Sequence, residues 1–378
     1  MKLVFAPDSF KGTLTATEVS ELLTKAAKEV FGGCDIISLP VADGGEGTTD
    51  AVVAALGGSK VPVLVRDPLM NEHKAYFGRI NENTAIMEMA QASGLTLVPE
   101  NFRNPIVTTT FGTGELLKAI LDEGYSEIYI SIGGSATNDG GMGFLSALGI
   151  RFYDKDGGIL SGKGSSLENI SRIDTSEMDG RLSKVKITVL CDVNNPLCGE
   201  NGATYTFGRQ KGGTPAILER LEKGMQNYRN VLIRDMGVNP DNIPGSGAAG
   251  GLGAALAIFL KAEMKPGIET MLSVTGFDEK IIGADLIITG EGRSDKQSAY
   301  GKVVCGVGEH AKKAGIPAVA LCGRLGEGYE ELYNHGINSF ITAVDHPMTE
   351  QEAFANAHGL VYKAAIRLFR LYKVNMEK

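Results

Sequence analysis

The sequence predicts an α/β fold: a Rossmann/flavodoxin-like, doubly wound parallel-sheet domain formed by both chain ends, with a second mixed α/β domain inserted. Three observations carry this. Apolar runs alternate with amphipathic helix patterns at both ends of the chain, the βαβα order of a parallel sheet with right-handed crossovers. The middle instead carries neighbouring strand-like runs joined by polar turns. Finally, five segments break into glycines flanked by acids, hydroxyls or amides, and four of them follow a predicted strand, where ligands bind in such sheets.

The first element is the strand Leu3 to Ala6. Thr15 and Glu18 then form a capping box, and Val19, Leu22, Leu23, Ala26, Ala27 and Val30 line one face of the following helix. Ile36 to Val41 reads as the next strand and Thr48 to Leu56 as the next helix. Near the other end, Asp285 to Thr289, Pro317 to Cys322 and Ile337 to Val344 read as strands, with a helix over Gly301 to Ala314. One final helix is predicted from the Thr349/Glu352 capping box to about Tyr372, with Ala353, Ala357, Leu360, Val361, Ala364 and Leu368 sharing a face. In the middle, Val61 to Arg66, His73 to Ile80 and Thr84 to Met89 read as antiparallel strands, joined by the turns Pro68-Leu69-Met70-Asn71 and Asn81-Glu82-Asn83. Glu115 to Leu121 and Pro215 to Met236 follow as helices, and Ile128 to Ile132 and Lys186 to Leu190 as buried strands. These patterns place residues 1–60 plus 275–378 in the first domain and 61–274 in the insert, with the active site in the cleft between them.

Composition excludes several classes. A 378-residue chain with 43% hydrophobic residues has ample core for two domains. A formal net charge of −8 argues against a nucleic-acid or anionic-membrane binder, whose surface would be basic. The 50 glycines are about twice average usage without a collagen-like period, so they serve turns and close backbone approaches. Five cysteines (Cys34, Cys191, Cys198, Cys305, Cys322) without a C-x-x-C pair fit a reducing compartment, and Asp8 and Lys11 interrupt any export signal; a cytoplasmic location follows as the expectation. Leu252 to Leu260 is apolar but short, a buried helix rather than a membrane span.

Familiar nucleotide and hydrolase signatures fail on inspection. Gly245-Ser246-Gly247-Ala248-Ala249-Gly250 satisfies G-x-G-x-x-G, but a loop rather than a strand precedes it. Gly157 to Lys163 fits G-x-x-x-x-G-K, yet Gly164 stands where a P-loop needs Ser or Thr. His73, His310, His335, His346 and His358 are scattered without zinc spacing, and no G-x-S-x-G elbow occurs.

The acid-bearing loops remain. Phosphoryl transfer needs a phosphate cradle, a divalent cation on oxygen ligands, a cation near the migrating charge and an oriented acceptor hydroxyl. Asp8, Asp43, Glu46, Asp139, Asp192, Glu291 and Asp295 offer carboxylates, and Lys11, Arg293 and Lys296 positive charge, all beside strand ends. Pro7-Asp8-Ser9-Phe10-Lys11-Gly12-Thr13, Ala42-Asp43-Gly44-Gly45-Glu46-Gly47-Thr48, Gly133-Gly134-Ser135-Ala136-Thr137-Asn138-Asp139-Gly140-Gly141, Asn195-Pro196-Leu197-Cys198-Gly199 and Thr289-Gly290-Glu291-Gly292-Arg293-Ser294-Asp295 resemble the bacterial glycerate kinase family in order and spacing. Ser294 departs from the pattern, standing where an aliphatic residue is expected.

The resemblance implies ATP- and Mg2+-dependent phosphorylation of D-glycerate to 2-phosphoglycerate, with 3-phosphoglycerate the less favoured product. A kinase of another small hydroxy acid would share every phosphate feature. On this resemblance Ser9, Asp43 and Arg293 bind substrate and Lys11 supplies catalytic charge. Gly133, Gly134, Ser135 and Asn138 form the phosphate-binding nest, joined by Gly290 and Gly292. Asp192 or Asp295 acts as base or as magnesium ligand, the two roles being left open between them. Small-molecule substrates are the implied partners, with no nucleic acid or membrane, and oligomeric state is left open.

Overall fold

The computed structural model describes residues 1–374. Its packing divides them into two compact units. The first comprises Met1–Asp43, Asp50–Gly58 and the chain from Pro266 onward; the second comprises Gly44–Thr49 and Ser59–Lys265.

In the first unit five strands form one wholly parallel sheet, ordered Asp35–Ser38, Lys2–Pro7, Leu286–Gly290, Ala318–Cys322, Ile337–Thr342. Numbered along the chain, this order is 2-1-3-4-5, that of a flavodoxin-like sheet, and it reverses direction between its first and third strands. Strand alternation decides the burial. Leu3, Phe5, Leu286 and Ile288 point into a core shared with Val19, Leu23, Ala26 and Ala27 of the Ala16–Phe31 helix and with Val361, Ala364 and Phe369 of the Ala357–Val374 helix. Val4 and Ile287, pointing the other way, are fully buried too, as a sheet covered on both faces requires. The Val303–Ala314 helix packs on Leu286–Gly290 and its neighbours.

Both capping boxes form. Thr15 accepts from the Glu18 N–H while Glu18 accepts from the Thr15 N–H, and Thr349 and Glu352 repeat the arrangement. The predicted final helix is two helices, Glu350–Ala355 and Ala357–Val374. Asn356 breaks it, leaving helical geometry at φ −107°, and its side-chain amide donates to the Glu352 carbonyl at 2.8 Å. The predicted strand Ile36 to Val41 is shorter, Asp35–Ser38, because Pro40 has no N–H to offer; Leu39 and Val41 still donate to the carbonyls of Phe5 and Pro7.

The second unit holds a six-stranded mixed sheet ordered Glu263–Lys265, Lys186–Leu190, Glu127–Ser131, Thr84–Glu88, Glu72–Arg79, Ser59–Arg66. The first four run parallel, and the last two close antiparallel, with His73 opposite Val65 and Phe77 opposite Val61. The Phe111–Asp122, Met142–Ala147, Pro215–Met236 and Ala248–Phe259 helices enclose its core, centred on Ile128, Ile130, Val189, Phe144, Tyr228 and Leu252. The Pro215–Met236 helix shows how local chemistry sets its ends. Thr214 caps it, Pro215 occupies the first turn, and Gly237 stops it at φ +70°.

Where glycine is obligatory, packing shows why. Gly290 ends its strand at φ +159°, and a Cβ there would lie 1.8 Å from the Leu321 carbonyl oxygen of the neighbouring strand. Gly290→Ala is therefore expected to cost about 3 kcal/mol or more, through forced backbone displacement in the sheet. Chemical denaturation against the wild type checks this, and an unchanged midpoint would contradict it.

Candidate active site

In the first unit the strands Lys2–Pro7 and Leu286–Gly290 lie side by side, where the strand order reverses. Loops leaving such a point must diverge, and the gap opens at the carboxyl ends of the strands. Asp8 and Glu291 are the residues immediately beyond those ends, and the Asp8 N–H still donates to the Gly290 carbonyl at 2.8 Å. A cavity of about 520 Å³ opens there. Its polar wall carries Asp8, Ser9, Lys11, Asp43, Glu291, Arg293, Asp295, Lys302 and Arg324; its apolar wall carries Val344, Met348, Ala353, Phe354, Leu360 and Val361. Seven sequence-predicted residues lie in this unit. Ser9, Lys11, Asp43, Gly292, Arg293 and Asp295 line the cavity, while Gly290 serves the sheet.

The carboxylates of this wall differ in their surroundings. Asp8 is 6% exposed; burial and the neighbouring Asp43 charge push its pKa up to about 7, against the opposing effects of the Ser9 N–H at 2.6 Å and of Lys11. Burial also raises Glu291, opposed by hydrogen bonds from Ser298 and Ser294 and by Lys302. Here the departure at Ser294 acquires a role. It is fully buried, and its hydroxyl donates to Glu291 Oε1 at 2.9 Å, with the Cys322 thiol 3.0 Å away. Asp295 is otherwise committed: its Oδ1 accepts from the Gln297 N–H at 2.9 Å and its Oδ2 faces Arg293 Nε at 3.0 Å. It caps the Lys296–Ala299 turn, and the same contact spends part of the Arg293 charge. Asp8 is thus the carboxyl in this wall poised to exchange a proton near neutrality, and sequence reasoning ranked it behind Asp295. The signal available was its place directly after the first strand.

In the second unit, Gly133 to Gly141 follow the strand Glu127–Ser131. Gly134, Gly140 and Gly141 all have positive φ, so the backbone coils tightly and leaves Gly134 exposed. Asp139, with no exposed surface, staples this loop. Its Oδ2 accepts from the Thr110 N–H (2.7 Å), the Thr110 hydroxyl (2.8 Å) and the Gly143 N–H (3.2 Å), and its Oδ1 from the Gly141 N–H (3.1 Å). Lys211, which sequence reasoning missed, lies beneath the loop, 1% exposed, and donates to Ser135 Oγ at 2.7 Å and to the Thr137 carbonyl at 2.6 Å. It stands 70 residues or more along the chain from both partners, on a single turn before Gly212, so no local pattern marks it. Burial pulls its pKa down to about 7, while Asp139 acts in the other direction. Asn138 Nδ2 donates to Thr204 Oγ1 at 3.1 Å, whereas Asn138 Oδ1 and Thr137 Oγ1 are buried without partners.

Gly245 to Gly251, the loop that follows no strand, proves to be packing. A Cβ on Gly250 would lie 2.1 Å from the Thr137 carbonyl oxygen, and the Gly250 carbonyl accepts from the Gly140 N–H at 2.9 Å. Glycine here lets the backbone brace the Thr137–Gly140 segment from behind. Gly44 to Thr49 is seated on the same sheet: Glu88 accepts from the N–H groups of Gly47 (3.1 Å) and Thr49 (2.6 Å), and Ser131 donates to the Gly44 carbonyl. Asp192 is exposed, just beyond the strand Lys186–Leu190. One juxtaposition was illegible in the sequence: Cys305, Glu309 and His335 come within 4.8 Å of one another. The Cys305 thiol, pushed up to about 11 by burial, donates to the Ala299 carbonyl, and His335 Nδ1 lies 2.7 Å from Glu309, so the three are already engaged in hydrogen bonds.

The model of the glycerate kinase family matches residues 3–373. The chain belongs to the glycerate kinase family. It is 44% identical to a glycerate kinase of Halalkalibacterium halodurans over 364 residues, 96% of each chain. It is 42% identical to the glycerate 2-kinase of Escherichia coli over 377 residues, covering 100% of this chain and 99% of that one. A crystal structure from Salmonella typhimurium LT2 bearing a glycerate kinase 2 name superposes with a TM-score of 0.89 at 41% identity, with full coverage of both chains. As a member of this family the protein is an enzyme, a glycerate kinase whose phosphoryl donor is ATP. Among the described residues no helix is long and apolar enough to cross a membrane.

In this glycerate kinase the raised pKa of Asp8 is a charge on stability. The unfolded side chain ionises near 3.8 and the folded one near 7, so the native state holds the proton more tightly, and stability falls as pH climbs through that window. Asp8→Asn, which mimics the neutral acid, is expected to raise Tm by several degrees at pH 8 and by less at pH 5. Thermal melts at both values check this, and an equal shift at both would refute the assignment.

Proposed function

We propose that this glycerate kinase transfers the γ-phosphoryl group of ATP to the C2 hydroxyl of D-glycerate, giving 2-phosphoglycerate and ADP. The observation that carries the reading is the cavity where the strand order reverses, which holds a carboxyl titrating near neutrality beside Lys11 and Arg293. The choice of C2 draws on the glycerate 2-kinase name of the Escherichia coli relative. Lys11 and Arg293 offer charge to the substrate carboxylate, while Ser9 and Asp43 offer hydrogen bonds to its hydroxyls. As the C2 oxygen forms its bond to the γ-phosphorus and the bond to the β-phosphate oxygen breaks, Asp8 accepts the hydroxyl proton. Gly133, Gly134, Ser135 and Asn138 receive the phosphates of the nucleotide on a glycine-coiled backbone. Gly292 allows the backbone approach that shapes the cavity wall, leaving a Cβ position only 3.3 Å from Phe10 Cα, while Gly290 holds the strand end beneath it.

Asp295 acts through the turn it caps and through Arg293, so its part is positioning rather than proton transfer. Magnesium suits hard oxygen donors: Asp43 and Glu291 would offer them in the cavity wall of the first unit, and Asp192 is an exposed carboxylate of the second. When bound, the ion would screen phosphate charge. A cytoplasmic location accords with five cysteines that form no disulfide.

Incubation with ATP, magnesium and D-glycerate, followed by proton-coupled 31P NMR, tests the reaction. The product signal is expected as a doublet, from phosphorus on a carbon bearing one hydrogen. A triplet would assign the phosphate to C3, and no phosphoglycerate at all would sink the proposal. Asp8→Asn is expected to lower kcat by about 10²-fold or more, the usual loss for a general base. Asp295→Asn should lower kcat less than Asp8→Asn does, and the reverse ranking would restore Asp295 as base.

A further inference from the structure

Lys211 is a buried cation with an unusual duty. In its ammonium form, which an arriving anion favours, it only donates, so at 2.7 Å it fixes Ser135 Oγ as an acceptor. The hydroxyl has a single proton, and among the described residues no acceptor meets it. Ser135 adjoins Gly134, the exposed crest of the loop, and retains 8% of its own surface. The second donation, 2.6 Å to the Thr137 carbonyl, ties down the next turn of the same loop. Beside it, Asn138 Oδ1 and Thr137 Oγ1 are buried and unpartnered, in a structure where most such atoms are satisfied. The opposing charge that acts on it, Asp139, already accepts four hydrogen bonds from the loop and from Thr110. A positive charge without surface exposure, facing a saturated carboxylate, is compensated best by an anion arriving on the far side of Ser135.

We propose that Lys211 is a positioning residue that turns the Ser135 hydroxyl outward, making it a charge-assisted donor to the phosphate oxygens of bound nucleotide. This rests on the reading that the Gly133–Asp139 loop receives the phosphates. Lys211 never touches the ligand; it acts by occupying the acceptor side of Ser135, so that the proton has one direction left. Loss of either residue removes the same donor, and the two effects should coincide rather than add.

The test is a double-mutant cycle of Lys211→Met and Ser135→Ala in the full-length chain. It reads the Kd for ATP by calorimetry, KM for ATP and kcat separately, and Tm as a check on folding. Each single variant is expected to raise Kd and KM for ATP about tenfold with a smaller change in kcat, and the double variant about tenfold in total relative to wild type rather than a hundredfold. A folded Lys211→Met with Kd within twofold of wild type overturns the proposal, as do fully additive effects. Should Lys211→Met not fold, Ser135→Ala decides alone: a Kd raised about tenfold supports the outward donor, and an unchanged one overturns it. Because Kd is read without turnover, wild-type protein that makes no phosphoglycerate fails the functional reading without deciding this one.

Discussion

A charge taken out of water has to be answered, and the site loops of this protein are organised around that demand. Asp139 is answered by four donors, two of them from Thr110 at the threshold of the Phe111–Asp122 helix. In being answered, it fixes a glycine-rich loop that would otherwise have many conformations at equal cost. Lys211 is answered by Ser135 and Thr137 of that same loop. In the other unit Asp8 is answered only in part, by one backbone N–H and a lysine, against a neighbouring carboxylate. The contrast lies in where the hydrogen bonds go: Asp139, pushed up by burial, spends four acceptances on the shape of its loop, whereas Asp8 holds one backbone N–H and faces the cavity.

The sequence exposed the fold's rhythm because burial writes itself into period. Leu3, Phe5, Leu286 and Ile288 alternate with Val4 and Ile287, and both faces of the sheet are covered, so the runs read as continuously apolar. The capping boxes at Thr15 and Thr349 are local chemistry and equally legible. What stayed hidden depends on distance along the chain. Lys211 meets Ser135 and Thr137 across 76 and 74 residues, and Cys305 meets His335 across 30, with no local pattern marking either. Asn356 also escaped notice, because the amphipathic stripe runs through it unbroken while its side chain takes a helical carbonyl for itself.

Candidate site residues were legible as a set and not as individuals. Acids beside strand ends are visible from the order of residues along the chain. Which one is buried beside a like charge, and which one caps a turn, is settled by neighbours such as Asp43 and Gln297. The glycines separate in the same way. Gly134 coils an exposed crest, Gly250 permits a backbone to press against Thr137, and Gly290 ends a strand against its neighbour; all three look alike in the sequence.

The cavity of the first unit has one wall that carries no such obligations. Met348, Ala353 and Phe354 lie on or beside the short Glu350–Ala355 helix, which buries none of its own residues. Side chains there are free of the hydrogen-bond networks that fix the opposite wall. For protein engineering this is where the enzyme is malleable: a library confined to those positions could resize the chamber for bulkier acceptors while leaving every stapled carboxylate and lysine in place.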